Sequence, residues 1–341
     1  MSGAPTMRAA AITRLGDLDS VGVAQVPAPP APGVGEVAVE VAAAGVALPD
    51  LLVARGSYGG VELALPQPIG IEFAGTVVAT GDGVVRLRAG DRVCGMVFPP
   101  QGGASERLVV PENDLGLVPD ALTLEQAAAV PSAYMTAEVA LHRMGHLHKG
   151  ERVLVLAGAS GVGLAAIQLA VLAGAEVHAA TSPAKRTALL EAGATKVYDY
   201  TADDWESAVP PMDLVLDPVG GQSFTRCYGL LRVGGRIAVL DAISRQPRDV
   251  GTTDYQPPTP EEQIDPLQLM FDGRTVLGAN MPLFWDGDGG QAPLLDQVLS
   301  YFAGSDLRPI VARVFPTAEA ADALRFVEQR KNVGRVVLSL R

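Results

Sequence analysis

The sequence predicts an α/β chain in two parts: a β-barrel or sandwich of short strands, then a doubly wound parallel sheet. Three observations predict it. Roughly the first 120 residues are short apolar or alternating runs broken by turn clusters. The middle alternates continuous apolar runs with helical stretches, the pattern of strands buried on both faces by covering helices. A glycine-rich turn, Gly158–Gly163, stands at the first strand–helix junction of that alternation.

In order along the chain, Met7–Ile12, Val21–Val26 and Glu36–Val46 read as strands, the last two separated by the stiff Pro-rich connection Pro27–Gly35. Gly70–Ala79 and Val93–Phe98 follow, each beside a turn cluster (Thr80–Gly83 and Ala89–Arg92). Arg152–Leu156 opens the parallel sheet, and an apolar helix from Gly161 to Ala173 ends where Gly174 suits a left-handed cap. Glu176–Thr181 is the second strand. Ser182 caps a helix with Pro183 first, and that helix stops near Gly193. Lys196–Tyr200, Asp213–Asp217, Arg236–Leu240 and Thr275–Asn280 supply further strands. Residues 242–270, rich in Pro and polar groups, read as an irregular loop, and a loop of that length is commonly functional or mobile. A helix at Ala292–Phe302, a helix capped by Thr317 and running to about Arg330, and a strand at Arg335–Leu340 complete the chain.

Composition narrows the function classes. Among 341 residues, 48% are apolar, enough to bury a core and to exclude disorder as the main state. The length suits two domains. A net charge of −12 argues against a nucleic-acid partner. Two cysteines, Cys94 and Cys227, can build neither a disulfide framework nor a four-thiolate zinc site. No apolar run reaches the ~18 residues of a membrane span, and Met1–Arg8 lacks the apolar core of a signal peptide, so a cytoplasmic protein without a membrane partner is expected.

The segment Gly158-Ala159-Ser160-Gly161-Val162-Gly163 carries the chemistry. Between a strand and a helix, it offers main-chain amides and the positive end of a helix dipole to a pyrophosphate. The G-x-G-x-x-G fingerprint maps onto Gly158, Ser160 and Gly163, with serine in place of the middle glycine. NAD-binding sheets place an acid at the end of the second strand, about 20 residues on. Here that end reads Ala179-Ala180-Thr181-Ser182, and Glu176 lies at the strand's beginning. Ser182, Lys185 and Arg186 follow, a hydroxyl and two cations suited to a 2′-phosphate, so NADPH is expected rather than NADH.

With these motifs the chain resembles the zinc-independent medium-chain dehydrogenases/reductases, in particular the quinone oxidoreductase (zeta-crystallin-like) group. Gly90-Asp91-Arg92-Val93, Ala157–Gly163, Asp217-Pro218-Val219-Gly220-Gly221 and Asn332–Leu338 carry the resemblance, which covers nearly the whole chain. It implies a GroES-like β-barrel catalytic domain over residues 1–125, completed by about 285–341, around a Rossmann domain over 126–284. It also implies an active cleft between them, a small-molecule substrate, and a homodimer joined edge to edge through the strand near 275–280. Zinc branches carry Cys and His where this chain has Ala47 and Ile71, and of that set only Glu72 persists, so no metal site is expected. Reduction of a quinone or a conjugated C=C bond is then favoured over alcohol oxidation.

The polar Asn and Tyr that quinone reductases commonly carry where Ala47 and Leu52 stand are absent, making the pocket more apolar than the family pattern. Tyr58, in Arg55-Gly56-Ser57-Tyr58-Gly59, matches the tyrosine that helps protonate substrate in related enoyl-thioester reductases. The resemblance further assigns Thr136 to the nicotinamide amide, Tyr200 to the 2′-phosphate and Asn332 to a cofactor contact. Phe284 and Trp285 suit a pocket wall or core packing equally. His142, His146, His148 and His178 have no Cys or acidic pair to complete a metal set. Two alternatives stay open beside the quinone or alkene reductase: an enoyl-thioester reductase using Tyr58, and an NADPH-binding protein with weak catalysis. An alcohol dehydrogenase with relocated metal ligands is a further competing possibility.

Overall fold

The computed structural model describes residues 5–58, 63–241, 243–246, 252–285 and 290–340. The chain forms two compact units. One comprises Met1–Ser132, Arg248–Thr253 and Trp285–Arg341; the other comprises Ala133–Pro247 and Asp254–Phe284.

The first unit opens with β1 (Thr6–Ile12), β2 (Val21–Pro27), β3 (Glu36–Val46), α1 (Leu48–Ala54), β4 (Gln67–Pro68), β5 (Glu72–Thr80), β6 (Arg92–Met96), β7 (Arg107–Pro111), β8 (Leu115–Leu117) and α2 (Leu124–Ala127). The chain continues through α3 (Pro131–Glu138) and a π-helical turn, Val139–Arg143. The second unit then alternates β9 (Arg152–Val155), α4 (Gly161–Leu172), β10 (Glu176–Thr181), α5 (Arg186–Glu191), β11 (Lys196–Asp199), β12 (Met212–Asp217), α6 (Gln222–Gly229), β13 (Leu231–Val239), α7 (Pro266–Asp272) and β14 (Thr275–Gly278). The first unit is completed by α8 (Ala292–Ala303), β15 (Val311–Pro316), α9 (Ala320–Glu328) and β16 (Arg335–Ser339).

In the second unit six parallel strands lie in the order β11-β10-β9-β12-β13-β14. The order reverses between β9 and β12, and ligands of open α/β sheets bind beyond the strand ends at such a reversal. Val153, Leu154 and Val155 of β9 are at most 1% exposed, which is why this strand reads as an unbroken apolar run. In the first unit β3 is the organiser. Its eleven residues pair antiparallel with β5, β7 and β16 in a sheet ordered β15-β16-β3-β5-β6-β8, with β7 off that path. The amino-terminal and carboxyl-terminal parts thus share one sheet, and Val46, Leu51, Leu324, Val336 and Leu338 share one core cluster.

Four sequence expectations are corrected. Of the loop expected over 242–270, residues 242 and 247–251 lie outside the described residues, and its end is helical: α7 forms over Pro266–Asp272, with Asp265 accepting from the Leu267 amide and Gly273 in the left-handed conformation closing it. Ser182 does not cap through its side chain: Pro183–Lys185 is a 3-10 turn and α5 starts at Arg186. Thr317 likewise begins a 3-10 turn before α9, its hydroxyl donating instead to the Ser339 carbonyl at 2.5 Å. The strand-like start of the chain also contains α1, where Asp50–Ala54 are all buried, so no exposed polar face marks the helical period.

Candidate active site

The glycine turn of the second unit is shaped as a phosphate cradle. Ser160 is the N-cap of α4, in extended conformation, and its hydroxyl accepts from the Gly163 amide at 3.0 Å. Serine at the fingerprint's middle position thus fixes the helix start. The Gly161 and Val162 amides lie in the first turn, where no preceding helical carbonyl can take them. A Cβ at Gly163 would stand 2.8 Å from the Cα of Gly158 and closer still to the Ala157 carbonyl oxygen. At Gly158 it would stand 2.7 Å from Leu189 Cδ2. Gly163 therefore lets α4 approach the loop to backbone distance, and Gly158 leaves room for the Leu189 side chain of α5. Ala157 holds a left-handed φ of 49° at the bend. These features fit a dinucleotide diphosphate over α4's amino end.

Beyond β10, Ser182 and Lys185 are half-buried and Arg186 is exposed. Arg186 Nη1 donates to the Val197 carbonyl, which ties one arm of the guanidinium to β11. The Tyr200 amide donates to the Thr181 carbonyl at 3.3 Å, so Tyr200, 48% exposed, stands next to the end of β10. Glu176 sits at the other end of that strand, bonded to His178 at 2.9 Å. That leaves the β10 carboxyl end without a carboxylate of its own. Thr136 is half-buried on α3 in the same unit.

Tyr58 and Asn332 belong to the first unit. Asn332 Nδ2 donates to the Gly334 carbonyl at 2.8 Å, shaping the turn into β16. Tyr58 packs half-buried against the cluster that includes Leu51, Val53 and Val336. Burial, and then the nearby charge of Asp50, push its phenol above the ordinary tyrosine range. Ala47 and Ile71 are 8% and 5% exposed and carry no donor atom. Glu72 is fully buried, accepts from the Ser132 amide at 2.7 Å and is ion-paired to Arg335. A catalytic zinc needs three protein ligands with an open position, and these residues do not fit one. Among the described residues no group of three His, Cys, Asp or Glu side chains is arranged to hold a metal ion.

Sequence reasoning passed over Asp50 and Arg335; Arg335 pairs with Glu72 and lies in the field of Asp50 only in three dimensions. The one local signal was a charged residue opening the apolar run Arg335–Leu338. Asp217 is also more than a motif letter. At the carboxyl end of β12, its Oδ1 accepts from the Val219 and Gly220 amides at 2.7 and 3.0 Å and shapes the Asp-Pro-Val-Gly-Gly turn. Burial holds its carboxyl above the usual range. His178 is buried between Tyr198 and Glu176, and His142 lies 3.8 Å from Glu138. Both cysteines are buried. Trp285 packs on Phe98 at 5.5 Å, and the Phe284 carbonyl accepts from Arg143.

Comparison with known proteins agrees with this anatomy. The alcohol dehydrogenase GroES-like domain matches residues 33–120, and a zinc-binding dehydrogenase domain matches 192–338. The synaptic vesicle membrane protein VAT-1 homolog of Rattus norvegicus is 33% identical, over 98% of this chain and 84% of its own length. The quinone oxidoreductase-like protein 2 homolog of Nematostella vectensis is 31% identical, over 90% of this chain and 82% of its own. The crystal structure of a probable oxidoreductase from Mycobacterium abscessus superposes with a TM-score of 0.84 at 29% identity, covering 99% of this chain and all of the other. Among the described residues no helix is long and apolar enough to cross a membrane.

Proposed function

The chain belongs to the medium-chain dehydrogenase/reductase superfamily, among its quinone oxidoreductase-like members, and from that premise we propose that it is a zinc-independent, NADPH-dependent reductase of quinones or conjugated C=C bonds. The observation that carries this is the wall of the first unit: Ala47 and Ile71 supply no ligand atom, while Tyr58 supplies a half-buried phenol. When bound, the reduced nicotinamide supplies hydride. Gly158, Ser160, Gly161, Val162 and Gly163 hold the diphosphate on backbone amides. Ser182, Lys185, Arg186 and Tyr200 surround the place for a 2′-phosphate, and Thr136 and Asn332 are the remaining cofactor contacts we assign.

An enone or enoyl group reduced at its β-carbon leaves an enolate, and Tyr58 donates the proton that completes the reduction. Its phenol, held above the ordinary tyrosine range, stays protonated at neutral pH. The apolar residues beside it exclude water that would otherwise compete for charge. The half-buried phenol also favours the second reading, an enoyl-thioester reductase, because a thioester enolate is basic enough to need such a donor. For the assembly we propose a homodimer through β14, the last strand of its sheet, preceded by the exposed apolar residues Leu267, Met270 and Phe271 of α7.

The test is NADPH consumption by the purified full chain with 9,10-phenanthrenequinone, 2-cyclohexen-1-one, trans-2-hexenal and crotonyl-CoA, alongside elemental analysis. Turnover of at least one acceptor without stoichiometric zinc is expected. Zinc at one per chain, or tight NADPH binding with no acceptor reduced, would overturn the proposal.

A further inference from the structure

Asp50, Glu72 and Arg335 are buried together in the first unit, at 1%, 0% and 7% exposure. Each carboxylate holds backbone as well as charge. Asp50 Oδ2 accepts from the Ala47 amide at 2.8 Å, and its Oδ1 accepts from the Gly70 amide at 2.7 Å. Glu72 Oε2 accepts from the Ser132 amide at 2.7 Å, and Oε1 meets Arg335 Nη2. Room for Glu72 is made by Gly45, its register partner on β3, where a Cβ would also stand 2.6 Å from the Ala128 carbonyl oxygen. Four segments converge on the trio: the β3–α1 turn, the turn before β5, the start of α3, and β16.

Stability does not explain the arrangement. Burying three charges costs several kcal/mol per ion by general estimate, and apolar replacements of buried ion pairs are often neutral or stabilising. Burial drives the Asp50 carboxyl up to about 6 and the Arg335 guanidinium down to about 10, so both charges are held against desolvation. The arrangement does fix geometry. Ala47 has no side-chain oxygen to cap α1, so Asp50 at the third helical position reaches back to its amide, one half of a capping box. The same carboxylate secures Gly70, whose left-handed φ of 89° leads into Ile71.

We propose that Asp50 is a positioning residue for the reaction proposed above: with Arg335, itself ion-paired to Glu72, as the nearby positive charge, it locks the Ala47 turn to the Gly70 turn and thereby fixes the apolar wall and the stance of Tyr58. The two backbone hydrogen bonds of Asp50 tie together the turns that metal coordination would tie where Cys and His occupy those two positions. Asp50 acts through the backbone and through its field on Tyr58, without touching the reacting atoms. The charged and titratable groups facing Asp50 are Arg335 from β16, Glu72 (through Arg335) from β5, and Tyr58 from the segment after α1.

The inference rests on the proposed reductase chemistry, so the experiment separates the two. Full-length wild type, Asp50→Asn and Arg335→Lys are compared by hydrogen exchange in peptides containing Ala47 and Gly70. The Tyr58 titration is followed by NMR of ring-labelled tyrosine, assigned with Tyr58→Phe. NADPH affinity is read by fluorescence, and kcat and KM are measured with 2-cyclohexen-1-one. In Asp50→Asn the two amides are expected to exchange at least tenfold faster, Tyr58 to titrate at lower pH, NADPH Kd to stay within twofold, and kcat/KM to fall at least tenfold. Arg335→Lys, which keeps a charge beside Asp50, falls between the two and carries the same readouts should Asp50→Asn not fold. Unchanged exchange and an unmoved Tyr58 titration would overturn the inference, as would NADPH affinity lost in step with kcat/KM. If wild type reduces no enone or quinone, the reductase proposal falls, while exchange and the Tyr58 titration still decide the positioning role.

Discussion

Replacing Gly163 by alanine tests the cradle most directly. The new methyl would meet the Gly158 Cα at 2.8 Å and the Ala157 carbonyl oxygen at a still shorter distance. Both are backbone atoms held by β9 and by the Gly158 amide's bond to Ala180, so neither can step aside as a side chain would. Restoring ordinary contact requires α4 to retreat by a large fraction of an ångström. Overpacking of this kind costs ~1–3 kcal/mol, against a helix-propensity gain of ~1 kcal/mol for alanine over glycine. The net loss is at most about 2 kcal/mol, which corresponds to a melting temperature lower by up to roughly 4–8 °C in a unit of this size. The same retreat carries the Gly161 and Val162 amides away from the diphosphate, and NADPH affinity should fall at least tenfold, ~1.4 kcal/mol. Gly229, at the end of α6 with nothing within 4 Å of its Cβ position, is the control. Gly229→Ala should raise stability by ~0.4–1 kcal/mol and leave NADPH binding alone. Thermal unfolding and fluorescence titration read both. A Gly163→Ala protein that melts and binds like wild type would refute the close-approach argument.

Other outcomes are expected. Lys185→Ala should weaken NADPH at least fivefold in a fluorescence titration while changing NADH affinity less than twofold; equal losses would remove Lys185 from 2′-phosphate recognition. Asp50 is raised from 3.8 to about 6 in the folded chain, so the folded state retains a proton that the unfolded state has released. Stability should therefore fall as pH rises from about 4 to about 6 and level off above, by about 3 kcal/mol at most, and the slope should vanish in Asp50→Asn. Urea unfolding across that window measures it, and parallel curves for the two proteins would count against it. Phe271→Asp, at a residue 73% exposed beside β14, should convert a dimer to a monomer in light scattering; a dimer of unchanged affinity would place the interface elsewhere.

The parallel sheet, its glycine turn and the lack of metal-ligand types at Ala47 and Ile71 were all legible along the chain. Each depends on residues a few positions apart: an apolar run followed by glycines and a helix, or two side-chain types in local motifs. The misread elements also have local causes. Prolines and polar residues around 242–270 masked α7, and burial of α1 over Asp50–Ala54 left no polar face to show its period. Ser182 carried the composition of a helix cap, but the chain at Pro183–Lys185 took the tighter 3-10 turn and the cap bond was not made. Arg186 looked available to a phosphate, and only the packing of α5 on β11 showed that one arm serves the Val197 carbonyl.

By itself the sequence determined the parallel sheet, the glycine turn at its first strand–helix junction and the residue types at Ala47 and Ile71, because hydrophobic period, turn chemistry and residue type are properties of neighbours in the chain. Only the tertiary structure decided that Asp50, Glu72 and Arg335 form one buried ionic unit and that Ser160 serves as a cap. A charge can be buried only where partners from distant segments arrive together to compensate its lost hydration, and such a meeting is set by the pairing of β16 and β5 on the two sides of β3.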